Sequence, residues 1–121
     1  MTKRAILLVD HGSRRAEANA VLEQVAALLR RRLPDDIVRV AHLALAPPTL
    51  VEGIEACVSD GAREIVVHPY FLAPGDHAAG GVPDLVAEAA SRHPGVSMRV
   101  SPPLGVHPAL LDVILARIGE A

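Results

Sequence analysis

This sequence contains very few large aromatic residues. Among its 121 residues there are one Phe, one Tyr and no Trp, although half of the residues are hydrophobic. The core must therefore be built from Ala, Val, Leu and Ile, a composition that suits helices packed on both faces of a parallel sheet. The chain length predicts a single domain over residues 1–121.

Three further shortages exclude other classes of protein. The single cysteine, Cys57, rules out an intrachain disulfide, and its Ala-rich surroundings predict a small core residue rather than a reactive thiol. The formal net charge of −2 argues against non-specific nucleic-acid binding. No apolar run approaches ~18 residues, so we expect no membrane span and a cytoplasmic protein.

Short apolar runs alternate with segments of helical periodicity. Strands are predicted at 4–9, 37–45, 64–68 and 96–100, and helices at 17–33, 50–59, 85–92 and 109–118. This alternation predicts a doubly wound α/β domain with a four-stranded parallel sheet, and right-handed crossovers favour the strand order 2-1-3-4. The first and third strands are then neighbours, and the switch point where ligands bind lies between their carboxyl ends.

A histidine follows each of these two neighbouring strands. His11 comes directly after the first strand, and His77 lies in the long loop at 69–81 that follows the third. Two imidazoles meeting in an open crevice would make a partial site for a divalent metal ion, which releases its ion more readily than a closed site with four ligands. Tyr70 and Phe71, in the same loop, either form an aromatic wall for a flat ligand or cap the sheet edge.

The stretch Leu7-Leu8-Val9-Asp10-His11-Gly12-Ser13-Arg14 resembles the opening motif of the class II tetrapyrrole chelatases, in particular the short sirohydrochlorin chelatases of the CbiX or SirB type. Comparable segments follow in the same order at 69–77, 82–83 and 102–108. The resemblance implies a chelatase-like enzyme that inserts Co²⁺, or alternatively Fe²⁺ or Ni²⁺, into sirohydrochlorin without an organic cofactor. It also implies that this chain equals half of the longer relatives and forms a homodimer.

The resemblance assigns roles to individual residues. His11 and His77 would bind the metal ion and help to remove the pyrrole protons, and a neutral imidazole can do either near neutral pH, one after the other. The start of the first helix, with its N–H groups, is a candidate site for substrate carboxylates, although Arg14 is equally well explained as a solvated residue. The predicted substrate contacts are Ser13, Arg14, Tyr70, Phe71, Leu72 and Gly75.

The sequence departs from the family at its acidic residues. Many relatives carry a glutamate at the position of Ala44 and acids in the stretch that matches 78–81, and both are absent here. His42 is a candidate replacement as a metal ligand, because positions 42 and 44 would share one face of the second strand. The alternative is a structural histidine at the strand end. Asp10 and Asp76 each adjoin a key histidine and either could orient an imidazole.

Other functions stay open from the sequence. A non-catalytic carrier of a tetrapyrrole or a metal ion would need the same fold without turnover. A histidine phosphatase is disfavoured because Asp10 beside His11 would repel phosphate, and a flavodoxin-like protein would need more donors than Gly12 and Ser13 supply. The remaining histidines are predicted to be structural; they are His68, His93 and His107.

Overall fold

The computed structural model describes residues 3–73 and 81–121. Within these residues four strands alternate with four helices. The strands are β1 (Arg4–Asp10), β2 (Ile37–His42), β3 (Glu64–Pro69) and β4 (Ser97–Val100). The helices are α1 (Ala16–Arg32), α2 (Leu50–Ser59), α3 (Val82–Arg92) and α4 (Ala109–Gly119). None of the helices in the described part is long and apolar enough to cross a membrane.

The strands form one parallel sheet in the order β2-β1-β3-β4, which confirms the predicted topology. Helices α2 and α3 pack on one face, and α1 packs on the other face over β1 and β2. Every residue of the central strand β1 from Ala5 to Val9 is buried. This explains why the strand is continuously apolar, since helices cover it on both sides.

Two strand and helix ends differ from the prediction. The second strand ends at His42 instead of continuing to 45, because the chain turns away and Leu45 adopts a φ of 72°. Helix α3 begins at Val82 rather than at 85, since its first turn accommodates a proline that has no N–H to leave unpaired. Helix α2 begins with a capping box, in which the Thr49 hydroxyl accepts from the Glu52 N–H and the Glu52 carboxylate accepts from the Thr49 N–H.

Candidate functional site

The candidate site lies at the carboxyl ends of β1 and β3, the two neighbouring strands at the predicted switch point. His11 follows β1 and is exposed, whereas Phe71 follows β3 and is buried. Their rings stack with centroids 4.4 Å apart and an angle of 25° between the planes. Phe71 therefore gives its ring face to His11 and holds the imidazole at the rim of the sheet.

A cavity of about 380 Å³ opens beside His11. Its walls are mostly apolar and come from three parts of the chain: the loop after β1, the segment after β2 and the start of α3. Leu45, on this wall, is exposed and has its backbone in the left-handed region, at φ 72°. The lining residues are His11, Gly12, Leu43, Ala44, Leu45, Gly81 and Leu85.

Sequence reasoning did not identify the apolar wall of this cavity. The sequence pattern predicts Leu43 and Leu45 within a longer second strand and Leu85 within a helix. The signal that points to them is the apolar run that continues beyond β2 up to the prolines at 47 and 48. Because the run is longer than the strand, its last residues remain available to line a crevice.

A second and more polar cavity of about 290 Å³ lies on the other side of His11, and Tyr70 and Ser13 help to line it. Asn19 of α1 fixes the backbone of Ser13, since its side chain accepts from the Ser13 N–H at 2.9 Å and donates to the Ser13 carbonyl at 2.8 Å. The Ser13 hydroxyl accepts from the Arg15 N–H at 3.0 Å. Sequence reasoning missed Asn19, whose only signal is its position one turn into the helix.

The loop that carries His11 is held by backbone hydrogen bonds to the segment after β2. The Leu43 N–H donates to the Asp10 carbonyl at 2.9 Å, and the Ala44 N–H donates to the His11 carbonyl at 3.1 Å. Gly12 comes next, with a φ of 87°. A Cβ at this position would lie 1.9 Å from the carbonyl oxygen of Ala44. Only glycine therefore allows the two segments to approach this closely.

His42 lies directly across from Asp10 in the β1–β2 register. Its Nδ1 is 2.5 Å from Oδ1 of Asp10, and only 4 % of the residue is exposed. Asp10 thus orients the imidazole of His42 across the sheet, whereas the sequence led us to expect it to orient the adjacent His11. The backbone N–H of His42 donates to the Pro48 carbonyl at 2.8 Å, which fixes this end of β2.

The prediction that positions 42 and 44 share one strand face is wrong, because β2 ends at His42 and the alternation of side chains ends with it. Ala44 lines the cavity beside His11, whereas His42 is not among the described residues that line it. The geometry therefore favours the structural alternative for His42.

Two other predicted site residues have clear positions. Leu72 is 64 % exposed at the same end of the sheet, and Arg14 is exposed beside Ser13. His77 and Gly75, together with Asp76, lie outside the described residues. Within the described residues no group of three or more His, Cys, Asp or Glu side chains could hold a metal ion.

The remaining histidines have structural partners, as predicted. Nδ1 of His68 lies 2.7 Å from the Ser101 hydroxyl, and burial lowers the pKa of His68 below its ordinary value. His93 caps the end of α3 with its Nε2 2.9 Å from the Glu55 carboxylate. Nδ1 of His107 accepts from the Ala109 N–H at 3.0 Å and so caps the start of α4.

Comparison with known proteins gives consistent matches over nearly the whole chain. The family model described as CbiX matches residues 5–121. A chloroplastic sirohydrochlorin ferrochelatase of Arabidopsis thaliana is 42% identical over 113 residues, which are 93% of this chain and 50% of that protein. The chain thus spans about half the length of this relative and of a sirohydrochlorin ferrochelatase from Priestia megaterium.

Two solved structures resemble the fold closely. The sirohydrochlorin chelatase SirB from Bacillus subtilis subspecies spizizenii, solved in complex with cobalt, is 31% identical with a TM-score of 0.88; the match covers 98% of this chain and 51% of that one. A putative cobalamin biosynthesis CbiX protein from Marinobacter aquaeolei is 27% identical with a TM-score of 0.79, and the match covers 98% and 99% of the two chains. Relatives of both lengths therefore share this fold.

Proposed function

The chain belongs to the CbiX family, and we propose that it inserts a divalent metal ion into sirohydrochlorin. The observation that carries the proposal is the His11 imidazole, stacked on Phe71 at the rim of the sheet and opening on an apolar cavity of about 380 Å³. The relatives, among them a sirohydrochlorin ferrochelatase and a sirohydrochlorin chelatase solved in complex with cobalt, support this substrate class. We propose Co²⁺ as the metal, with Fe²⁺ and Ni²⁺ as alternatives.

In the proposed reaction His11 first binds the metal ion and then accepts a pyrrole proton. The same nitrogen lone pair serves both steps, so they must follow one another. The exposure of His11 suits both steps, because the metal ion and the macrocycle must each reach the imidazole ring. His77 is the proposed second ligand and proton acceptor.

The proposed substrate site uses both cavities beside His11. The apolar wall with Leu43, Leu45 and Leu85 suits the face of a macrocycle. The loop with Ser13 and Arg14 suits the carboxylates at its edge, because these residues precede the amino end of α1. Tyr70, Leu72 and Gly75 remain predicted contacts. Phe71 contributes indirectly, through the stack with His11.

Several sequence predictions stay predictions. One such prediction is that residues 1–121 form a single domain equivalent to half of a longer relative. It is supported by the comparisons in which this chain covers about half of the longer protein. A homodimer, a cytoplasmic location and the absence of an organic cofactor remain part of the proposal. A ligand role for His42 is less well supported than a role in fixing the ends of β1 and β2, since its Nδ1 is engaged by Asp10.

The test is the rate of Co²⁺ insertion into sirohydrochlorin, followed by absorbance and compared with the uncatalysed rate. We expect His11→Ala to lower the catalysed rate by about 100-fold or more, which is the range that positioned proton acceptors contribute. His93→Ala is the matched control, since His93 pairs with Glu55 away from both cavities beside His11 and should leave the rate unchanged. A wild-type rate equal to the uncatalysed one would reject the proposal. Repeating the assay with Fe²⁺ and Ni²⁺ identifies the metal.

One observation favours a second function. Ala44 places a methyl group on the cavity wall beside His11. Many relatives are expected to carry a carboxylate at this position. A site with fewer ligands binds its ion more weakly, which suits a carrier of a metal ion or tetrapyrrole as well as a chelatase. A carrier would bind sirohydrochlorin, measured by fluorescence quenching, without raising the insertion rate.

A further inference from the structure

The two cavities beside His11 differ in chemical character. The larger one has a mostly apolar wall, and no carboxyl group of the described residues lines it. The smaller one, of about 290 Å³, is lined by Asp10 together with polar residues that include Ser13 and Tyr70. Among the described residues, only His11 and Gly12 line both cavities. The imidazole of His11 therefore stands between an apolar compartment and a polar one.

The Asp10 carboxylate lies on the side of the sheet where the polar cavity opens. As the last residue of β1, Asp10 shares a sheet face with Ile6 and Leu8, and α1 covers this face. One carboxylate oxygen, Oδ1, is 2.5 Å from Nδ1 of His42. The other, Oδ2, has no hydrogen-bond partner within the described ranges 3–73 and 81–121, and 20 % of the Asp10 side chain is exposed. One oxygen is therefore anchored, while the other is available to a cation in the cavity.

The polar cavity is large enough for a hydrated metal ion. Six waters, each with a share of roughly 30 Å³, occupy roughly 180 Å³, which is less than the cavity volume of about 290 Å³. The carboxylate of Asp10 and the imidazole of His11 both border this space, and divalent transition-metal ions accept both kinds of ligand. The apolar cavity, by contrast, offers few polar atoms that could replace the waters of the ion.

The amino end of α1 also borders the polar cavity, through Ala18 and Asn19. Its helix dipole is equivalent to roughly half a positive charge, which opposes a cation. Two features weaken this effect: the N–H groups of Ala18 and Asn19 already donate to the Arg15 carbonyl at 3.1 and 3.2 Å, and Glu17 adds a negative charge to the first turn. The full negative charge of the Asp10 carboxylate therefore outweighs the partial charge of the helix.

We propose that Asp10 is the entry ligand for the metal ion: its Oδ2 binds the hydrated ion in the polar cavity, and His11 takes the ion from there towards the macrocycle on the apolar side. This inference rests on the proposed function, in which the metal ion is a substrate. The ion and the macrocycle then reach the imidazole from opposite sides and do not compete for one opening. The chain thereby has a carboxylate beside His11 although Ala44, on the apolar side, carries only a methyl group.

The first test locates the ion in the wild type and needs no substitution. Small amounts of Mn²⁺, a paramagnetic ion that carboxylates bind well, broaden the amide NMR signals of nearby residues. We expect the strongest broadening at Ser13 and Asn19, which line the polar cavity. Broadening centred on Leu45 and Leu85 would place the ion in the apolar cavity and overturn the proposal. The absence of broadening around His11 would overturn it as well.

The second test measures the affinity for Co²⁺ alone by calorimetry. Asp10→Asn keeps the shape of the side chain and an acceptor for Nδ1 of His42 but removes the anionic ligand, so we expect affinity to fall about tenfold or more. Glu17→Gln is the matched control, because Glu17 carries the same charge beside the cavity, pairs with Arg15 and is not among its lining residues. This control should bind Co²⁺ as the wild type does, and thermal melts check that both variants are folded. Equal affinities for Asp10→Asn and the wild type would overturn the proposal.

The insertion assay separates this inference from the proposed function. With sirohydrochlorin present, Asp10→Asn should raise the Co²⁺ concentration that gives half the maximal rate by about the same factor as the loss of affinity. The rate at saturating Co²⁺ should stay close to that of the wild type, because His11 is intact. A lower maximal rate with unchanged half-saturation would overturn the entry role. A wild type that binds Co²⁺ through Asp10 without inserting it would reject the proposed function and still support the metal site.

Discussion

Replacing Gly12 by alanine isolates the contact that positions His11. Gly12 has a φ of 87°, and an added Cβ would lie 1.9 Å from the Ala44 carbonyl oxygen and 3.1 Å from the His42 Cβ. The left-handed backbone alone costs an alanine roughly 1–2 kcal/mol. The overlap with a backbone oxygen cannot be relieved by turning a side chain, so the two segments must separate, at a cost of roughly 1–3 kcal/mol more.

Gly61→Ala is the matched control for this strain. Gly61 has a φ of 98°, but an added Cβ would have no atom within 4 Å. The substitution should therefore lower the free energy of unfolding only by the cost of the left-handed backbone, roughly 1–2 kcal/mol. We expect Gly12→Ala to lower the free energy of unfolding by roughly 2–5 kcal/mol, a large part of the 5–15 kcal/mol typical of a domain.

Urea denaturation followed by circular dichroism measures both variants, and thermal melts provide a second readout. For a chain of this size one kcal/mol corresponds to about 4 °C in Tm, so Gly12→Ala should melt well below Gly61→Ala. If the two variants lose the same stability, the close approach between the His11 loop and the segment after β2 is not what holds the loop. That result would refute the positioning of His11 by the close contact between Gly12 and the Ala44 carbonyl.

Four other perturbations test separate parts of the structure. Burial raises the pKa of the Cys57 thiol to about 11, so alkylating reagents at about pH 8 should modify it only as fast as the chain unfolds. Burial lowers the pKa of His68, so the unfolded chain binds a proton more readily than the folded chain does. Stability should therefore fall as the pH drops below about 6.5. His68→Gln should reduce this loss of stability in melts recorded at different pH values. His42→Phe leaves the Asp10 carboxylate without its partner and should cost roughly 1–3 kcal/mol of unfolding free energy. Ala44→Glu should tighten Co²⁺ binding in calorimetry and slow insertion.

The sheet was predictable from sequence because its signals are local and strong. The continuously apolar strand β1 requires cover on both faces, and right-handed crossovers then leave few topologies. The position of His11 followed from the same reasoning, since it comes directly after a central strand. Each of these inferences needs only the order of residues along the chain.

The partner of His42 was not predictable because it depends on where a strand stops. Alternation of side chains holds only within a strand, and β2 ends at His42 rather than at 45. The pairing with Asp10 depends on the register between β1 and β2, which no local pattern specifies. In the same way, the pattern of α4 predicts an apolar helix but does not say against what it packs.

The sparse set of ligands around His11 also suits the proposed reaction. A chelatase must release its ion to the macrocycle, so tighter binding of the free ion lowers the free energy of the starting state and raises the barrier to transfer, unless the transition state is stabilised equally. Each tenfold gain in affinity would then add about 1.4 kcal/mol to the transfer step. A glutamate at Ala44 would add a carboxylate to the cavity wall beside His11, which is why Ala44→Glu should raise Co²⁺ affinity while slowing turnover. Tighter binding with faster insertion would instead mean that a carboxylate there assists removal of the pyrrole proton, and that its absence limits this chain.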